Sequence, residues 1–347
     1  MIVVNARFLT QNVTGVQRFA IEISKNLLKL NPDGLTFVAP ANILNRQLAN
    51  ELNAKVIGKN CGIVWEQVDL KIFLLQNKKP LLINFCNSGV VFYKNQLVTV
   101  HDMSYKINPL WFSRAFYLWY NWLIPHLAEK SVKILTVSNS SKNDIIKYLK
   151  VKPDKIKVIY NSSYINTNNN FEAAEKDKYI LTISSLEPRK NLNNLIAAFN
   201  GINKEIKLVI VGLKGNNFKR GLNAGLLNKN IILKGYQSDD ELSSLMKHAE
   251  ALAYCSFYEG FGLPPIEAMA MGCPVIVSDI PAHREACGDA ALYADPFSIE
   301  DIKEKITAVL ADQQLKVNLK LAGRENIKRF DWFKSARNVL DVINEIV

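Results

Sequence analysis

The chain has 347 residues, 48% hydrophobic and 22% charged, with 43 Lys/Arg against 32 Asp/Glu and a net charge of +11. Length and composition fit about two globular domains and exclude a disordered chain, a collagen-like repeat and a disulfide scaffold. No apolar run approaches the roughly 18 residues of a membrane-spanning helix, and residues 1–7 read as a first strand, not a secretory leader. Five cysteines (Cys61, Cys86, Cys255, Cys273, Cys287) form no C-x-x-C pair and have no histidine cluster beside them, which points to a reducing cytoplasm and no structural metal.

Strands are predicted in chain order at 2–4, 35–39, 81–84, 97–100, 134–137 and 158–159, then at 179–183, 208–211, 231–233, 251–254, 275–277 and 292–293. Helical spacing falls between them at 16–30, 140–149, 192–199 and 239–248, with Asn191 as one cap and Ser238, three residues ahead of Glu241, as another. Such alternation predicts an α/β fold with parallel sheets wrapped by helices. The polar stretch 161–170 is the expected linker, giving a first domain over 1–165 and a second over 175–330. Each is expected to be doubly wound, with ligands taken at the carboxyl ends of its strands in a cleft between the two. A terminal helix over 331–347 carries Trp332, Ala336, Val339 and Ile343 at amphipathic spacing and is expected to pack back on the first domain.

Charge divides unevenly over this plan. Residues 1–175 hold 21 Lys/Arg against 11 Asp/Glu, whereas 176–347 hold 22 against 21. The basic half is expected to face an anionic partner, nucleic acid or a phospholipid surface, with a merely solvated lysine-rich surface as the alternative. Seven aromatics stand between Trp111 and Trp122, six of them on about half of a helical wheel with Tyr117 outside it. Most of the six are expected to pack in the core, with a peripheral membrane encounter drawing on the remainder. Scattered basic residues and the lack of a recognisable module argue against nucleic acid.

Candidate chemistry sits at the predicted strand ends. Gly15, between the first strand and a helix, is a place where backbone can meet a substrate, although the pattern is not G-x-G-x-x-G. His101-Asp102 follows the strand at 97–100, where a histidine is either a catalyst or a satisfied structural residue. Glu187-Pro188-Arg189-Lys190-Asn191 puts two cations beside a helix start, a combination suited to a diphosphate. Gly212 and Gly235-Tyr236 close two further turns at the same edge and suit a nucleobase. In Glu259-Gly260-Phe261-Gly262-Leu263-Pro264-Pro265-Ile266-Glu267, glycines allow close approach, prolines open a helix, and two carboxylates can grip paired hydroxyls of a sugar or ribose. Glu267 as a helix-dipole partner and Glu259 as a surface charge are the plainer readings.

The Glu259-x7-Glu267 spacing in this setting resembles the motif of retaining, nucleotide-sugar-dependent glycosyltransferases of family 4, and the resemblance covers nearly the whole chain. It implies the GT-B fold of two Rossmann-like domains, with Thr14-Gly15-Val16 as the glycine loop, His101 as the histidine of the first domain and Pro188-Arg189-Lys190-Asn191 as the phosphate-binding segment. The last departs from the family, which separates its Arg and Lys where here they are adjacent. The resemblance gives Lys190 and Arg189 the donor diphosphate and Glu267 the ribose hydroxyls. Glu259 and the backbone of Gly260, Phe261, Gly262 and Leu263 go to the donor sugar, and His101 to the sugar or the developing oxocarbenium ion. It implies no metal and no cofactor beyond the nucleotide-sugar substrate. GDP-mannose is favoured, with UDP-hexoses and dTDP-rhamnose close behind, and the acceptor would be a lipid-linked glycan of bacterial O-antigen or capsule synthesis at the inner face of the cytoplasmic membrane. A sugar-nucleotide epimerase and a non-catalytic scaffold of the same fold are the alternatives.

Overall fold

The computed structural model describes residues 2–165, 175, 177–202, 205–212 and 222–347. The chain divides into unit 1, Met1–Asn161 with Asp331–Val347, and unit 2, Ser162–Phe330. The first five residues of the expected linker lie at the junction, and residues 166–170 fall outside the described residues.

Unit 1 is built on a seven-stranded parallel sheet. Its strands are β1 (Ile2–Asn5), β2 (Leu35–Ala39), β3 (Lys55–Val56), β4 (Leu81–Asn84), β5 (Gln96–Thr99), β6 (Lys133–Thr136) and β7 (Ile156–Val158), in the order β3-β2-β1-β4-β5-β6-β7. The central strands are largely apolar and buried along their length, as a sheet covered on both faces requires. Helix α1 (Gly15–Leu30) starts in a capping box between Thr14 and Gln17. The terminal helix, Trp332–Asn344, packs along α1, with the Trp332 and Phe19 rings 6.2 Å apart and Ser335 Oγ donating to the Tyr160 carbonyl at 2.7 Å.

The aromatic run departs from expectation. Trp111 and Phe112 precede the helix α2 (Arg114–Lys130), whose core-facing residues are Leu123, Ile124, Leu127 and Ala128 in its second half. Phe116 and Trp122 are exposed, at 37% and 41%, and none of the seven aromatics is buried. Tyr117, placed off the stripe by the helical wheel, packs against the same cluster as Phe112, Trp119 and Tyr120. At the start of α2 the rings stack on one another, Phe112 on Phe116 at 4.9 Å and Phe116 on Tyr120 at 4.1 Å.

Unit 2 repeats the plan with six parallel strands: β8 (Tyr179–Ile183), β9 (Lys207–Val211), β10 (Ile231–Leu233), β11 (Ala251–Tyr254), β12 (Val275–Ser278) and β13 (Leu292–Ala294), in the order β10-β9-β8-β11-β12-β13. Between them run α3 (Leu192–Asn200), α4 (Asp239–His248), α5 (Leu263–Ala270) and α6 (Pro281–Cys287). Ser238 caps α4 in a full capping box with Glu241, as its spacing predicts. Asn191 does not cap α3. It adopts φ 56°, and its amide reaches instead to the carbonyls of Cys255 at 2.9 Å and Pro296 at 2.7 Å. Bonds to two carbonyls of distant segments outweigh one helix N–H that water can serve; Pro296 also accepts from Asn194 Nδ2 at 3.2 Å.

Candidate active site

In both sheets the strand order reverses once, between β1 and β4 in unit 1 and between β8 and β11 in unit 2. Such a reversal opens a crevice at the carboxyl ends of the strands, because the connections leave in opposite directions. In unit 2 that crevice gathers residues from two distant segments. The turn Pro188–Lys190 follows β8, and residues 255–262 follow β11. Backbone bonds stitch them, with Phe257 N donating to the Arg189 carbonyl at 2.8 Å.

Glu259 is the centre of the cluster. Its carboxylate, 7% exposed by residue, receives Lys190 Nζ at 2.6 Å on one oxygen and Arg189 Nη1 at 3.1 Å on the other. Lys190 also donates to the Tyr254 hydroxyl at 2.6 Å, and Arg189 Nε to Glu187 at 2.6 Å. Burial alone would raise the Glu259 pKa, but the two cations outweigh it and hold the carboxyl far below its usual range. Lys190 is pushed down, by burial first and by the adjacent Arg189, with Glu259 opposing. Burial and the neighbouring Glu259 push the Tyr254 hydroxyl up, so it stays protonated.

Gly262 ends the loop with φ 103° and caps α5. A side chain there would stand 2.9 Å from Cδ2 of His283, so the close approach of loop and ring depends on glycine. Phe261 turns inward, edge-on to Phe330 at 5.4 Å, and leaves its backbone as the part that lines the edge. Leu263 and Glu267 lie on α5, with Glu267 4% exposed. Gly212 and Gly235 meet, Gly212 N donating to the Gly235 carbonyl at 3.1 Å, and a side chain at Gly212 would stand 3.2 Å from the carbonyl of Ser184, the residue after β8. Tyr236 projects outward, 63% exposed. Arg189, Lys190, Gly212, Gly235, Glu259, Gly260, Phe261, Gly262, Leu263 and Glu267 therefore share the carboxyl edge of one sheet.

Gly15 and His101 belong to unit 1. A side chain at Gly15 would meet nothing within 4 Å, so the start of α1 stands open. His101 follows β5 and is 5% exposed. Its Nε2 carries the proton, since it bonds the Phe85 carbonyl at 2.8 Å, and its ring stands edge-on to Phe19. Burial lowers its pKa, against that carbonyl and Asp102, so the ring is neutral and presents only Nδ1.

Sequence reading passed over Tyr254 and His283. The first is visible only as the last residue of a strand. His283 gives no local signal: it is fully buried on α6, donates Nδ1–H to the Ser278 carbonyl at 3.1 Å, and is lowered to about 4 by burial.

Two parallel α/β units, each with one strand reversal, define a protein of two doubly wound domains. The model for glycosyl transferases group 1 matches residues 165–326 and that for glycosyltransferase family 4 matches 87–162. O-antigen chain mannosyltransferase B of Escherichia coli is 30% identical over 369 residues, covering 92% of this chain and 93% of that protein. O-antigen chain mannosyltransferase RfbU of Salmonella typhimurium is 33% identical over 245 residues, 69% of this chain and 66% of that protein. Among solved structures, Anabaena HepE with UDP and glucose (TM-score 0.77, 16% identical) and WaaG, a glycosyltransferase of lipopolysaccharide biosynthesis (0.71, 15%), each cover 99% of both chains and share the GT-B fold. The chain belongs to glycosyltransferase family 4 and is a GT-B glycosyltransferase.

Proposed function

We propose that the protein is a metal-independent retaining hexosyltransferase that takes a hexose or deoxyhexose from a nucleotide diphosphate sugar, GDP-mannose foremost, to a lipid-linked glycan acceptor in bacterial surface polysaccharide synthesis. The observation that carries the reading is the pairing of Lys190 and Arg189 with Glu259 at the strand reversal of unit 2. Two fixed cations beside a diphosphate stabilise the departing nucleotide as charge develops on it, the role a divalent metal fills elsewhere. The mannosyltransferase relatives support the choice of donor.

The cluster of Arg189, Lys190, Glu187 and Glu259 is neutral before donor arrives. The Glu187 side chain is 41% exposed against 8% for Glu259. Glu187 is therefore the carboxylate that yields Arg189 to the diphosphate, while Glu259 keeps Lys190 in place and turns its free edge to the donor sugar. Glu267 takes the ribose hydroxyls, the loop backbone from Gly260 to Leu263 the sugar, and Gly212, Gly235 and Tyr236 the base. In unit 1, Gly15 and His101 contact substrate, His101 through Nδ1, and the carboxyl edge of the sheet takes the acceptor.

The excess charge supports a membrane-borne acceptor. Unit 1 holds 23 Lys/Arg against 12 Asp/Glu, and unit 2 holds 20 against 20, so the whole +11 lies on unit 1. Leu110, Leu118 and Trp122, 89%, 65% and 41% exposed, add apolar groups to that basic unit. No helix among the described residues is long and apolar enough to cross a membrane. Surface attachment is the reading, at the inner face of the cytoplasmic membrane.

Thermal shifts with GDP, UDP and dTDP, each with and without Mg²⁺, test the donor site. A ligand at a hundred times its Kd stabilises by about 2.7 kcal/mol. Stabilisation by one nucleotide, indifferent to Mg²⁺, is expected; no shift with any of them refutes the donor assignment.

A further inference from the structure

The strand reversal of unit 1 holds a second buried cation–carboxylate pair that the scheme above does not use. Glu66, 1% exposed, lies in the turn Trp65–Asp69, which is wound wide in the π manner. Its Oε1 accepts from Asn5 Nδ2 at 2.7 Å and Ser88 Oγ at 2.9 Å and stands 3.3 Å from Arg7 Nε. Asn5 ends β1, and the same Nδ2 donates at 2.9 Å to Asn84, the last residue of β4. Arg7 Nη2 donates to Ser88 Oγ at 3.0 Å. Nη1 has no hydrogen-bond partner among the described residues, and the Arg7 side chain keeps 14% exposure.

We infer that this pair is a subsite for an uncharged sugar of the acceptor, with Arg7 donating through Nη1 to the sugar's oxygens and Glu66 as the positioning residue behind it. The inference rests on the reading that unit 1 takes the acceptor. Its place matches that of the Lys190–Glu259 pair in unit 2, the crevice where open α/β sheets bind ligands. Packing does not account for it, because a buried ion pair is no better for stability than apolar groups of the same volume. Wide π turns concentrate at functional sites. Charge then selects the ligand: Glu66 cancels Arg7, so a phosphate or uronate gains no net attraction, while the N–H groups of Nη1 still suit neutral oxygens.

Saturation-transfer NMR on the full chain, with octyl α-mannoside as the neutral probe and octyl β-glucuronide as the anionic one, tests this without any donor. Wild type should bind the mannoside at least as tightly as the glucuronide. Arg7→Ala, Arg7→Lys and Glu66→Gln should each weaken the mannoside about tenfold, the loss of one well-placed hydrogen bond. Nucleotide thermal shifts of all three variants should match wild type. Should Arg7→Ala fail to fold, Arg7→Lys carries the test, since it retains the ion pair and removes the fork. The inference is overturned if wild type engages neither glycoside, if the glucuronide binds more tightly, or if Arg7→Lys binds the mannoside as wild type does. A wild type that binds the mannoside but no nucleotide would sink the donor assignment and leave this subsite standing.

Discussion

Replacing Lys190 with methionine separates what the buried cluster does for the fold from what it does for the donor. The substitution retains side-chain length and removes Nζ, which stands 2.6 Å from both Glu259 Oε1 and the Tyr254 hydroxyl. Of its two cations Glu259 then keeps Arg189, at 3.1 Å on its other oxygen. Breaking a buried pair by removing one partner costs about 3–5 kcal/mol, and the remaining cation offsets part of that, leaving about 2–3 kcal/mol. The cost lies in the stranded charge, so Glu259→Gln in the same background should recover roughly half of it or more. Nucleotide binding should stay lost in both, because neither regains the cation. All five tryptophans (Trp65, Trp111, Trp119, Trp122, Trp332) lie in unit 1, so their fluorescence does not report on unit 2. Native-state hydrogen exchange on peptides covering β8 and β11 reads the right unit. A single variant within about 0.5 kcal/mol of wild type, or a double variant less stable than the single, would refute the reasoning.

Four further outcomes are expected. Below pH 6.5 the unfolded chain takes a proton on His283 that the folded protein refuses until about pH 4, so stability falls as pH drops. From pH 7 to 5 that one group should cost about 2 kcal/mol, and urea titrations should show a shallower acid loss in His283→Gln; parallel losses would show the ring to be no source of acid sensitivity. Gly262→Ala must carry φ 103° and a Cβ 2.9 Å from the His283 ring; it should lose more than about 1 kcal/mol and weaken donor binding, and an unperturbed melting temperature with full nucleotide shift would contradict this. Glu267→Ala should weaken nucleotide binding about tenfold by calorimetry, and unchanged affinity would remove it from the ribose site. His101→Ala should retain the nucleotide shift yet slow transfer from GDP-mannose, which a radiolabelled transfer assay reads; a normal rate would confine His101 to packing on Phe19.

Much of the fold was legible because a strand buried on both faces needs an uninterrupted apolar run, as in Tyr179–Ile183 and Ala251–Tyr254. β3 escaped notice since Lys55–Val56 is a two-residue exposed edge with no such run. The loop from Glu259 to Glu267 was legible for a related reason: its glycines, prolines and carboxylates act within one turn of chain, so their spacing is their geometry. The pair Arg7–Glu66 left no comparable trace, with its members 59 residues apart on segments that carry no motif.

The sequence by itself determined the alternation of strands and helices, the lopsided charge and the chemical character of each strand end, all of which depend on neighbours along the chain. The tertiary structure decided which ends meet. It set β8 beside β11, and so brought Lys190 to Glu259 across 69 residues, and it turned Asn191 from a helix cap into a tie between Cys255 and Pro296. It also left Phe116 and Trp122 of α2 exposed and Tyr117, Trp119 and Tyr120 only partly buried against the core that their spacing suggested. The reason is that burial and hydrogen-bond satisfaction are totals over the whole fold, so a residue's partner is chosen by the groups that would otherwise be stranded, and these lie anywhere in the chain.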